Sequence, residues 1–249
     1  MYLHMIRFIL IVIVVVGFLI LSIPILIVEW IIGKLNKNLK DRSSLKIVQG
    51  VFKLVLFLTG VKTTVIGQEN IPKGEAVLYV GNHQSFFDIL LTYTRVSGLT
   101  GYVAKKEMIR IPLLSNWMKY LNCLFLDRNN IKEGLKTILT GIEQIKNGIS
   151  ICIFPEGTRN KKGDDNVGTF KEGSLKMSEK TGCAIVPIAL NNTSEIFENH
   201  FPKIKTCHVM IEYGKPIYPK ELSKEERKFL GAYTQKIIQD MLDKNAPLV

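Results

Sequence analysis

Gly81-Asn82-His83-Gln84-Ser85-Phe86-Phe87-Asp88 sets an imidazole and a carboxylate five residues apart, directly after the apolar run over residues 76–80. An apolar run of that length bounded by glycine reads as a buried strand. The polar residues beyond it then lie at its carboxyl end, where open α/β sheets place their sites. A histidine with a carboxylate behind it is suited to general-base work, because the carboxylate fixes the tautomer and stabilises the imidazolium that forms. On one continuous helix the two would stand roughly 140° apart, so they meet only if the chain turns between them. Ser85-Phe86-Phe87-Asp88 offers that turn, with Ser85 as N-cap and Asp88 at the third helical position. The competing reading gives Asp88 only a capping role and His83 only a structural one.

Three other stretches carry chemistry. Lys105-Lys106-Glu107-Met108 follows the strand pattern at residues 102–104, so an ammonium can reach the sheet edge that carries His83; the alternative is a solvated face. Phe154-Pro155-Glu156-Gly157-Thr158-Arg159 follows the buried-looking run at 149–153. Gly157 permits a tight backbone, and Arg159 supplies a planar fork suited to phosphate oxygens, although Pro-Glu-Gly is also an ordinary turn. Pro187, inside the run 185–190, interrupts a strand and so points to an edge, a bulge or close approach of a ligand.

The elements that position these groups are legible from periodicity. Strand patterns at 64–66, 76–80, 102–104, 124–126, 149–154, 185–190 and 209–211 alternate with helical patterns at 131–146, 171–180 and 220–242. That alternation predicts an α/β fold, a mixed sheet flanked by helices. Residues 61–249 form this unit, and residues 1–60 precede it as a pair of membrane-associated helices.

The first of the pair rests on residues 8–28, almost wholly apolar and long enough to span a bilayer. No small-residue cleavage site follows, and Trp30-Ile31-Ile32 continues the apolar run, which argues against a secretory signal. Lys34, Lys37, Lys40, Arg42 and Lys46 come next, placing that end on the cytoplasmic side. Residues 45–59 carry Lys46, Gln49 and Lys53 along one helical stripe with apolar residues around it. This reads as an interfacial amphipathic helix, or alternatively as a helix packed on the soluble unit. Pro24 and Glu29 disfavour a simple span, so a one-leaflet hairpin is expected in preference to it.

Composition narrows the function. The 249 residues carry a formal net charge of +11, which predicts attraction to anionic surfaces, nucleic acid or acidic lipid. Cys123, Cys152, Cys183 and Cys207 stand singly in apolar runs, as reduced core residues and not as disulfides or zinc ligands. There is no Gly-x-Ser-x-Gly elbow, no glycine-rich nucleotide loop and no His-Glu-x-x-His pair. With no designated nucleophile, the histidine is best used on a substrate hydroxyl, in a direct transfer.

Taken in order, Asn82-His83-Gln84-Ser85 with Asp88, residues 105–112, residues 154–159 and Val186-Pro187-Ile188 resemble the four blocks of the bacterial 1-acylglycerol-3-phosphate acyltransferases. Phe170-Lys171-Glu172-Gly173 is similar to the segment that follows the third block. Ser115 and Asn160 stand where many members have Gly and Ser. The resemblance implies transfer of an acyl chain from acyl-CoA or acyl carrier protein to the sn-2 hydroxyl of lysophosphatidate, giving phosphatidic acid for phospholipid synthesis. It implies His83 and Asp88 as the catalytic pair, and Arg159, Lys105, Glu156, Gly157 and Thr158 around the substrate phosphate. No metal or cofactor is implied, and the partners are membrane lipids and the two substrates, not nucleic acid. An acyltransferase for another lysolipid, such as lyso-ornithine lipid, would share the same motifs.

Overall fold

The computed structural model describes residues 2–160 and 167–249. Three helices come first: α1 (Tyr2–Leu21), α2 (Ile23–Leu35) and α3 (Lys37–Thr59). The chain then alternates through β1 (Lys62–Ile66), β2 (Leu78–Gly81), α4 (Phe87–Tyr93), β3 (Thr100–Lys105), α5 (Leu114–Tyr120), β4 (Leu124–Leu126), α6 (Ile131–Lys146) and β5 (Ser150–Ile153). It closes with α7 (Lys176–Thr181), β6 (Ile185–Asn191), β7 (His208–Tyr213), α8 (Lys224–Lys228) and α9 (Leu230–Asn245).

Among the described residues, seven strands make one sheet in the order β1-β7-β6-β2-β5-β3-β4. Strands β2 to β6 are mutually parallel, β7 runs antiparallel to β6, and β1 is parallel to β7, so the sheet is mixed as expected. The central strands are apolar on both faces, as a doubly covered sheet requires. Tyr79, Cys152, Val186 and Ile188 face one layer, packed with Leu45, Val48 and Val55 of α3, Leu91 of α4 and Trp117 of α5. Leu78, Val80, Ile151 and Ile153 face the other, packed with Ile142 and Ile145 of α6 and Ile238 and Leu242 of α9.

Pro187 lies in a central strand, not at an edge. From Asn191 to Ile188 the strand pairs with β7, and the next bridge, Ile185 with Ile217, has slipped by one residue. The lost N–H therefore falls at a bulge, where the ladder needs no donor.

The N-terminal segment differs in detail from its sequence reading. The amphipathic helix begins at Lys37 and not at 45, because the Asn36 side chain accepts from the Leu39 N–H at 3.0 Å and starts it earlier. Gln49, expected on a polar stripe, donates to the carbonyls of Tyr93 and Val96, so part of that stripe faces the sheet unit. Glu29 is buried and accepts from Ser43 Oγ at 2.8 Å, while Pro24 sits in the first turn of α2, past the break at Ser22.

Helix α1 is attached to the sheet unit at both ends. Near its start, His4 exchanges hydrogen bonds with the backbone of Ile204, and Phe8 stacks on Phe197. At its far end, Trp117 Nε1 donates to Ser22 Oγ at 2.9 Å, and Tyr120 donates to the Leu26 carbonyl just beyond. Elsewhere α1 is bare at Ile9, Ile13, Val16 and Ile20, and α2 at Ile27 and Trp30, all of them exposed. A contiguous apolar surface of this extent marks a membrane contact.

Candidate active site

Strand β2 delivers the chain to the carboxyl edge of the sheet, and Asn82 fixes its exit. The Asn82 side chain donates to the Leu190 carbonyl at 3.0 Å and accepts from the Leu190 N–H at 2.8 Å, extending the β2–β6 pairing past the last backbone pair. His83 follows at once, and its Nδ1 lies 2.7 Å from Asp88 Oδ2.

Asp88 is fully buried, and both its oxygens are occupied. Oδ2 also accepts from the N–H groups of Gln84 and Ser85, each at 2.8 Å, and Oδ1 accepts from Thr193 Oγ1 at 2.5 Å. Ser85 Oγ in turn accepts from the Phe87 N–H at 3.0 Å. The capping role and the histidine-holding role are thus the same carboxylate's work, and the turn between His83 and α4 is what allows both. Helix α4 itself starts at Phe87, one residue later than a Ser85 cap implies.

An acceptor oxygen on Nδ1 requires the proton there, which leaves Nε2 as the lone-pair nitrogen of the neutral ring. Among the described residues Nε2 has no protein partner, and the ring stacks on Phe154 with centroids 4.4 Å apart. The side chain retains 17% exposure, enough for a reacting hydroxyl to reach it.

The turn after β5 wraps the same histidine from the other side. Glu156 Oε1 accepts from the His83 N–H at 2.7 Å, and Oε2 accepts from the Gly168 N–H at 3.0 Å. Burial raises the Glu156 carboxyl above its ordinary 4.5, against the pull of those two N–H groups. Gly157 adopts φ +75°, a conformation costly for residues with a Cβ, and its N–H closes the turn onto the Phe154 carbonyl. Asn160 donates its backbone N–H to the His83 carbonyl at 2.7 Å. That contact is indifferent to the side chain, so a departure from Ser at this position leaves it intact.

Arg159 does not project freely. Its Nη1 pairs with Glu198 Oε1 at 2.8 Å, and its guanidinium lies over the Phe86 ring at 3.7 Å. Glu198 also accepts from the Phe86 N–H at 2.8 Å, so one carboxylate ties the arginine to the His83–Asp88 loop. Thr158 is exposed beside it. Lys105 is exposed at the end of β3, whereas its neighbour Lys106 is engaged by Asp127 at 3.0 Å. The sequence reading missed Thr193 and Glu198. Thr193 follows β6 directly, so its strand-exit position was readable; Glu198 carries no sequence signal.

The family model described as Acyltransferase matches residues 62–191, the span from β1 to the end of β6. The 1-acyl-sn-glycerol-3-phosphate acyltransferase of Borreliella burgdorferi is 34% identical over 203 residues, covering 82% of this chain and 79% of the relative. The yeast protein of the same name, from Saccharomyces cerevisiae, is 29% identical over 194 residues, covering 78% and 62%. The crystal structure of the 1-acyl-sn-glycerophosphate (LPA) acyltransferase PlsC from Thermotoga maritima superposes with a TM-score of 0.82 at 25% identity, over 97% of this chain and 95% of that one. A histidine–aspartate pair at the carboxyl edge of a mixed sheet, inside a span matched by that family model and by relatives at this identity, makes the chain a member of the acyltransferase family.

Proposed function

We propose that this acyltransferase moves an acyl chain from a thioester to the sn-2 hydroxyl of 1-acylglycerol-3-phosphate, forming phosphatidic acid. His83 Nε2 takes the hydroxyl proton as the oxygen attacks the thioester carbon. Asp88 holds Nδ1–H and stabilises the imidazolium. The tetrahedral intermediate collapses with cleavage of the C–S bond, and the imidazolium returns its proton to the departing thiolate. The nucleophile is the substrate's own oxygen, so no covalent enzyme intermediate forms and no cofactor enters. The acyl donor is acyl-CoA or acyl carrier protein.

The observation that carries this reading is the 2.7 Å His83–Asp88 contact with Arg159 anchored beside it through Phe86 and Glu198. Arg159, with Lys105 as second cation, receives the acceptor's phosphate. Glu156 orients the loop, and Gly157 and Thr158 leave room for the head group. The names of the Borreliella and yeast relatives support lysophosphatidate as that acceptor.

Residues 1–60 are assigned to one leaflet of the cell membrane, with the catalytic unit on its cytoplasmic face. A 20-residue helix is about 30 Å long, a bilayer's hydrocarbon thickness. If α1 crossed, its ends would lie on opposite sides, yet both ends touch the same folded unit. The hairpin keeps the lysolipid's hydroxyl near His83 without drawing its chain into water.

The test is thiol release from palmitoyl-CoA or palmitoyl carrier protein in the presence of lysophosphatidate, with lyso-ornithine lipid and lysophosphatidylcholine as rival acceptors. His83→Ala is expected to lower the rate about 10²–10⁴-fold with the fold retained. A folded His83→Ala protein within tenfold of the parent overturns the base assignment. A preference for a rival acceptor overturns the substrate.

A further inference from the structure

Asp88 receives its hydrogen bonds unevenly. Oδ2 accepts from His83 Nδ1 at 2.7 Å and from the N–H groups of Gln84 and Ser85 at 2.8 Å each. Oδ1 accepts from Thr193 Oγ1 at 2.5 Å. The donors on Oδ2 are sequence neighbours that precede α4, whereas Thr193 arrives from beyond β6.

The backbone of Asp88 is fixed by other contacts. Its N–H donates to the Ser85 carbonyl at 3.3 Å, and its carbonyl accepts from Thr92 Oγ1 at 2.6 Å. Thr92 Oγ1 in turn accepts from the Tyr102 hydroxyl at 2.8 Å. What these contacts leave open is rotation of the carboxylate about its Cβ–Cγ bond. Three donors crowd Oδ2, so an Oδ1 without a donor would compete for them. Asp88 and Thr193 are both fully buried, and bulk water reaches neither.

The chain adopts an uncommon conformation to aim Thr193. Asn192 has φ +64° and ψ +17°, the left-handed region that asparagine enters more readily than most residues with a Cβ. Its side chain donates to the His208 carbonyl at 2.8 Å, which ties the turn to β7. The turn redirects β6 into the short 3₁₀ helix Thr193–Ile196, whose first residue meets Asp88. Asn82, clamped on Leu190, sets the spacing between the exits of β2 and β6.

We propose that Thr193 is a positioning residue for the general base. Its hydroxyl holds Oδ1, stops the carboxylate from turning, and so keeps Oδ2 on His83 Nδ1 and Nε2 aimed at the acceptor's hydroxyl. This rests on the reading of His83 as base and adds what fixes the carboxylate behind it. Thr193 itself touches no substrate. Without its hydroxyl, the carboxylate turns to share the donors of Oδ2. Gln84 and Ser85 offer backbone N–H groups, which move little, whereas His83 offers a side chain; the His83 contact is therefore the one that loosens.

The test is Thr193→Val, which keeps the shape and removes the hydroxyl, in the full chain in detergent micelles. The kcat is expected to fall about tenfold, with the KM of each substrate within about twofold of the parent. Thr193→Ser and Thr193→Ala both lack the methyl group and differ by the hydroxyl, so this pair isolates it even where the valine variant does not fold. The serine variant should exceed the alanine variant in kcat by about tenfold. Equal kcat in that pair overturns the proposal, and so does a loss in Thr193→Val confined to KM. A second readout needs no substrate. The His83 Nδ1–H proton, assigned by its absence from the spectrum of His83→Ala, is expected at low field in the parent. It should move upfield in Thr193→Val and Thr193→Ala but not in Thr193→Ser. A kcat loss with that resonance unmoved makes Thr193 merely structural and overturns its positioning role. A parent that does not acylate lysophosphatidate defeats the acceptor assignment, and the proton resonance then decides the role of Thr193 by itself.

Discussion

Glu156→Gln separates positioning from simple packing. The carboxylate accepts from two N–H groups at once, His83 at 2.7 Å and Gly168 at 3.0 Å, and so clasps the His83 loop to the chain returning after the β5 turn. Glutamine keeps the shape but offers one acceptor oxygen, so its NH2 must face one of the two N–H donors. The loss is one charge-assisted hydrogen bond, about 1.5–3 kcal/mol. Relief of the burial that raises the Glu156 carboxyl offsets part of it. The stability change at neutral pH should therefore be small, whereas the clasp between His83 and Gly168 is broken at one end. A shift of the base by a fraction of an ångström is expected to lower kcat about tenfold or more, with little change in either KM.

Thermal unfolding against pH reads the electrostatic part. A folded carboxyl raised above 4.5 holds its proton more tightly than the unfolded chain does. The parent then loses stability as pH rises from 4.5 through the raised value, and it is level above that. Glutamine cannot titrate, so the Tm difference, variant minus parent, should grow through that acid window and then stay constant. A kcat within twofold of the parent would refute the clasp, and a Tm difference that shrinks as pH rises would refute the role of burial.

Arg159→Lys is expected to raise the lysophosphatidate KM more than the thioester KM, because an ammonium replaces neither the bidentate fork nor the stacking on Phe86; equal rises would make Arg159 structural. Burial pushes the thiols of Cys152 up to about 12 and of Cys123 and Cys207 up to about 11, so iodoacetamide at pH 8 should label these poorly until the chain is denatured. Rapid labelling of the folded protein would contradict that burial. A cysteine introduced at Leu3, in a variant lacking the native four, should resist an impermeant thiol reagent applied to intact cells; labelling from outside would mean that α1 crosses the membrane and would overturn the one-leaflet placement.

The central strands were the readable part of the fold, because β2, β5 and β6 are short apolar runs buried on both faces of the sheet. Residues 185–190, for example, differ from β6 by a single residue. Helix α6 was readable to its ends, since Asn130 caps its first turn and its apolar stripe is continuous. Residues 220–242 were harder: one periodic pattern covers α8 and α9, and the break at Phe229 leaves no trace in the spacing. The start of α3 was misplaced because its first turns are basic and polar. What holds them is tertiary, with Asp41 buried between Lys37, Lys40 and Asn122.

The site divides along the same line. His83 and Asp88 are five residues apart and joined by a turn whose cap is written in Ser85, so local sequence describes their meeting. Glu156 and Arg159 come from the next strand in the sheet, and their order in the chain, though not their contacts, is visible. Thr193 and Glu198 are more than a hundred residues from the Asp88 oxygen and the Phe86 N–H they engage, and only the β2–β6 pairing brings them there. That pairing explains why Asn82 spends its whole side chain on Leu190 and none on substrate. It fixes the far end of β6, so Thr193 reaches Asp88 Oδ1 and holds the carboxylate against rotation. His83 is thus held by a carboxylate whose second oxygen is engaged by the chain leaving the adjacent strand, β6.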